Sequence, residues 1–71
     1  MKTLIKVDPI KFKNARLRKG WSMRKLALKS GVCKATVINI EKRKHKTEEY
    51  TLAKLSEALE VNMEDLRVYE E

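Results

Sequence analysis

Residues 21–42, WSMRKLALKSGVCKATVINIEK, hold two helical patterns that meet at Ser30-Gly31 with almost nothing between them. Neither is long enough to persist alone, because helices shorter than roughly 12 residues are marginal in water. A chain that interrupts a good helical pattern must therefore recover stability from packing across the break. Glycine enters the left-handed region without a Cβ penalty, so Gly31 stops the first segment and lets the second leave at a steep angle. Four positions have to suit that angle. Ala27, four before the glycine, must be small because the segments approach closely there; Gly31 takes the turn; Val37 and Ile40, one turn apart, pin the second segment inward.

Size makes that packing demanding. A chain of 71 residues is one domain, 1–71, and buries only about 60% of the surface its unfolded form exposes. The single cysteine provides neither a disulfide nor a pair for a metal site, which fits a reducing, cytoplasmic setting without metal or cofactor. No apolar run approaches a membrane span, and MKTLIKVDPIK is too short in apolar residues for a signal peptide. Charge is divided sharply: residues 1–46 hold 15 Lys or Arg against two acids, and residues 47–71 hold two against eight, within a net charge of +7. The basic half calls for a polyanion, nucleic acid before membrane surface.

Capping signals divide the chain into five helices. Asp8-Pro9 opens helix one over 9–19, with Ile10, Phe12, Ala15 and Leu17 as its apolar set and Gly20 as its stop. Ser22 caps helix two over 23–30, which buries Leu26 and Ala27. Helix three runs over 34–42, with Cys33 where a cap is wanted. Lys42 to Lys46, KRKHK, reads as a loop. Thr47, with Glu48 and Glu49, caps helix four, whose stripe is Leu52, Leu55, Ala58 and Leu59. Asn62 caps a short helix five over 63–67 carrying Leu66. TLIKV (3–7) and LRVYE (66–70) have strand character by alternation and β-branching, so short terminal strands stand beside fraying as alternatives.

The unit over 22–42 has the geometry of a helix-turn-helix. Around it stand Arg16 before G-W-S (20–22), L-A (26–27), S-G-V (30–32), T-V-I-N-I-E (36–41) and T-L-A-K-L-S-E-A-L-E-V (51–61). This ordered set, running over residues 12–66, resembles the Cro/cI-type helix-turn-helix repressors, the XRE family. The resemblance implies an all-α, five-helix, lambda-repressor-like DNA-binding domain with its core over 9–67. It also implies that Arg16 pairs with Glu41 and orients helix three. It puts Lys34, Ala35 and Asn39 at base-reading positions, with Thr36 beside them. Lysine donates to guanine O6 and N7, asparagine bridges adenine N6 and N7, and alanine or the threonine methyl packs on a thymine methyl. Ser22 and Arg24 at the start of helix two, and Arg43, Lys44 and Lys46 after helix three, suit phosphates. The chain departs from the family pattern at Met23 (commonly glutamine), Ile38 (usually polar), Arg43 (usually glycine) and Thr47 (often proline).

Trp21 reads as packing between helices one and two, and His45 has no metal-ligand company. No acid-base or nucleophilic constellation is present, which argues against an enzyme. The expectation is a sequence-specific regulator, a repressor by the simpler guess. It would be a homodimer on a pseudo-palindromic operator of double-stranded DNA, joined through helix five, Leu66, Val68 and Tyr69, with TLIKV a further candidate. Two alternatives remain open. An antitoxin that autoregulates its operon would have an adjacent toxin gene, and a protein-interaction adaptor would lack salt-sensitive DNA binding.

Overall fold

The computed structural model describes residues 4–42 and 46–68. Strand β1 (Leu4–Lys6) leads into α1 (Pro9–Arg18), α2 (Met23–Ser30) and α3 (Lys34–Lys42). Strand β2 (Lys46–Glu48), α4 (Glu49–Leu59) and a 3₁₀ turn (Met63–Asp65) complete the order. Among the described residues, four α-helices therefore surround one core, with a short two-stranded antiparallel sheet in place of an all-helical perimeter. No helix among the described residues is long and apolar enough to cross a membrane.

Local chemistry accounts for the helix boundaries. The Asp8 carboxylate accepts from the Ile10 and Lys11 amides at 2.9 and 3.3 Å, and Pro9 takes the position where a missing amide has no cost. α1 ends one residue before the expected Lys19, which is its C-cap. The Ser22 hydroxyl accepts from the Lys25 amide at 3.1 Å and starts α2. Gly31, at φ 75°, ends it by donating its amide to the Ala27 carbonyl at 2.9 Å. A Cβ at Gly31 would meet nothing within 4 Å. Gly31→Ala should therefore cost only the backbone term, about 1–2 kcal/mol. A lowered denaturant midpoint with unchanged slope would show it, and no change would deny the left-handed turn its role.

Phe12, Leu26, Val37, Ile40, Leu52 and Leu55 form the centre of the core, and Ile5 and Val7 join it from outside the helices. The helix-one stripe differs from the expected one. Ile10 is 71% exposed and Leu17 53% exposed, while Phe12, Ala15 and Arg16 are buried. At about 100° per residue, Ile10 and Leu17 lie opposite Phe12, so their hydrophobicity cannot bring them inward. Arg16 takes the place on the core side. The α4 stripe follows the pattern, with Leu52, Leu55 and Leu59 buried and Ala58 half-buried against the core.

Three further expectations are corrected. The fifth helix is a three-residue 3₁₀ turn: Asn62 makes no side-chain cap bond, and the segment is too short to nucleate an α-helix. Its residues are drawn instead into extended pairing. The Val68 amide donates to the Lys6 carbonyl and the Asp8 amide to the Leu66 carbonyl, both at 2.8 Å, and Val7 bridges Arg67 antiparallel. Thr47 does not cap helix four. It is buried in β2 opposite Ile5, and Glu48 takes the cap position without a side-chain bond. Lys42 closes α3, as the expected bounds of helix three have it, while Lys46, expected in the KRKHK loop, opens β2; Arg43, Lys44 and His45 lie outside the described residues. Leu66, 1% exposed, belongs to the core and is not a dimer surface; Val68 is half-buried, and Tyr69 lies outside the described residues.

Candidate nucleic-acid interface

α2 and α3 meet across three residues, and each has a bonding role. The Ser30 hydroxyl donates to the Leu26 carbonyl at 2.8 Å and accepts from the Val32 amide at 3.2 Å. Val32 is buried, and the Cys33 carbonyl accepts from the Thr36 and Val37 amides at 3.0 and 3.2 Å, which starts α3. The turn is thus tied at both ends. Val37 and Ile40 are fully buried, and this fixes which side of α3 faces outward.

Arg16 secures the far end of α3. Its Nε donates to Glu41 Oε2 at 2.6 Å and its Nη2 to Oε1 at 2.9 Å, a two-pronged pairing that spans α1 and α3. Nη1 donates to the Trp21 carbonyl at 2.6 Å, so one guanidinium joins α1, the α1–α2 link and α3. The side chains of Arg16 and Glu41 are only 9% and 5% exposed. Arginine suits this position because its planar fork offers several donors in fixed geometry. Trp21 itself is half-buried against the core, as its packing role requires, and the Lys19 ammonium lies 5.7 Å from its ring centroid. Lys19 also pairs with Glu60. The hydrogen bond and charge of Lys19 hold the Glu60 carboxyl below the usual carboxylate range.

On the outward side of α3, Lys34, Ala35 and Asn39 are exposed. Helical periodicity puts Ala35 and Asn39 within about 40° of one another, with Lys34 to one side. Thr36 stands apart. It is half-buried and lines a shallow groove with Leu4, Lys46, Thr47 and Tyr50, turned toward the sheet. Ser22 and Arg24 are exposed at the start of α2; the Ser22 oxygen is occupied in capping, but its O–H can still donate. Lys46 is exposed at the start of β2. The sequence assigns Lys42 both to the end of helix three and to the KRKHK segment and gives it no part in binding. As the last residue of α3 it is exposed, seven residues after Ala35 and three after Asn39, on the same stripe. Two further turns of a 3.6-residue pattern beyond Ala35 would have found it.

α2 has no acidic side chain, and α3 has only Glu41, which Arg16 engages. Among the described residues, no group of His, Cys, Asp and Glu is arranged to hold a metal. Comparison with curated proteins and with solved structures gave no match. The helix-turn-helix family model matches residues 12–66, which takes in α1 from Phe12 onward, the chain through the 3₁₀ turn, the Arg16–Glu41 pair and the whole α2–α3 unit. The chain belongs to the helix-turn-helix family of the Cro/cI (XRE) type, whose members are DNA-binding transcription regulators.

Proposed function

We propose that the protein is a sequence-specific repressor that reads the major groove of double-stranded DNA with α3 and binds a pseudo-palindromic operator as a homodimer. Chain 1–71 would act as a single domain, with core 9–67 and reading unit 22–42, and would need neither cofactor nor catalysis. The observation that carries this reading is the division of α3: Val37 and Ile40 are sealed into the core while Lys34, Ala35 and Asn39 are left exposed. Lys34 and Asn39 would read base edges, and Ala35 would admit a close approach to them. Thr36 would sit at the edge of that surface. Ser22, Arg24, Arg43, Lys44 and Lys46 would hold phosphates and set register without sequence information. Such a domain represses most simply by occupying the polymerase's site.

The test is a titration against two labelled duplexes, one from upstream of its own gene and one a scrambled control. Tighter binding to the first supports a sequence-specific regulator. Equal affinity for both, insensitive to salt, would favour docking of the basic face on an acidic protein. Once a preferred duplex is in hand, Lys34→Ala and Asn39→Ala should each cost about 1–3 kcal/mol per half-site and relax preference at one base pair of each half-site. Arg24→Ala should weaken all duplexes alike. If the Asn39 variant lowered affinity for preferred and scrambled duplexes equally, its role would be positional.

A further inference from the structure

Among the described residues, the core cluster leaves out one large apolar side chain of α3. Ile38 is half-buried, yet among those residues it belongs neither to the buried core cluster nor to the partly buried side chains packed on it. Its place on the helix is definite. At about 100° per residue it lies between Lys34 and Ala35 in angle, roughly 60° from Ala35, with Asn39 on Ala35's other side. Residues three apart are neighbours on a helix surface, so Ala35 and Ile38 form a small apolar strip bordered by an ammonium and an amide. Helix formation does not account for the isoleucine, since β-branched residues are poorer helix formers than lysine or glutamine.

An apolar strip between two base-bonding groups matches one feature of the major groove. Base edges there present donors, acceptors and a single apolar group, the pyrimidine C5-methyl. We propose that Ile38, with Ala35, receives a pyrimidine C5-methyl and is a specificity-determining residue of this protein. This rests on the reading that α3 enters the major groove. An A·T pair displays both the adenine edge that an asparagine bridges and the thymine methyl, so Asn39 and the strip can read one pair or two adjacent ones. Thymine brings the methyl to any duplex; 5-methylcytosine brings it only after modification.

The experiment starts from a duplex selected by the protein out of a random-sequence pool. Each thymine of the half-site is then replaced by uracil, which removes only the methyl. At one position affinity should fall about fourfold, the factor for burying one such carbon. Ile38→Ala, which alters both protomers of the dimer, should lower affinity for the thymine duplex by about the square of that factor, roughly fifteenfold, and bind the thymine and uracil duplexes equally. Because alanine is the better helix former and Ile38 is outside the core, the variant's circular dichroism should match the wild type. If the position holds cytosine instead, methylating it at C5 should raise affinity by the same factor and assign the methyl to 5-methylcytosine. Should no uracil replacement and no methylation change affinity while the selected duplex is still preferred over a scrambled one, the methyl contact is overturned and DNA recognition stands. Should the pool yield no preferred duplex, both readings fall.

Discussion

Glu41→Ala should lower the unfolding free energy by about 3–5 kcal/mol, as expected when one partner of a buried ion pair is removed and the other is left uncompensated. The geometry supports the upper part of that range. Arg16 is buried, and with Glu41 gone two of its donors, at 2.6 and 2.9 Å from the carboxylate, lose their acceptors while Nη1 stays on the Trp21 carbonyl. A domain of this size has roughly 4–10 kcal/mol in total, so the variant should be substantially unfolded in mild urea. Urea titration followed by circular dichroism measures it. The double variant Arg16→Met with Glu41→Leu should recover most of the loss, because apolar replacements of similar volume often equal or exceed a buried pair in stability. Any DNA affinity the double variant still lacks then reports the pair's part in orienting α3. A loss below about 1 kcal/mol for the single variant would place the pair among ordinary exposed ones.

DNA affinity should depend steeply on salt. If Arg24, Arg43, Lys44 and Lys46 each neutralise one phosphate, two protomers on one operator neutralise about eight. Counterion release then gives a slope of log affinity against log salt near −7, a loss of about 10⁴ between 50 and 200 mM. A single protomer would give about half that slope and a loss of roughly 150-fold over the same interval. Fluorescence anisotropy at four or five salt concentrations therefore reports stoichiometry together with electrostatics. Lys46→Ala should make the slope shallower by about two in the dimer, one for each protomer. A wild-type slope shallower than about −2 would leave the basic half of the chain without the polyanion its charge calls for.

Much of the helical frame was legible before any coordinates. Asp8-Pro9, Ser22 and Gly31 mark boundaries because capping is a local reaction: each depends on a side chain or a φ value within three residues. Val37 and Ile40 were legible for a related reason, since their spacing from Gly31 leaves few ways to seat α3. Arg16–Glu41 was legible only through the resemblance; from periodicity alone Arg16 is one more cation on a basic helix. Ile10 and Leu17 show the opposite failure. Their residue type points inward while their angle points outward, and the angle prevails.

What local chemistry settled, then, is where most helices start and stop, where the chain turns, and which half carries the positive charge, because each follows from neighbours in sequence or from summed charge. What required the folded chain is which distant segments touch. β2 exists because Ile5 and Thr47, 42 positions apart, share the core, and that pairing overrides the capping preference of Thr47. The Lys6–Val68 and Asp8–Leu66 bonds draw the would-be fifth helix into an extended partner for the N-terminus. Such contacts pit a weak local preference, a fraction of a kcal/mol, against burial of whole apolar side chains, and the burial wins.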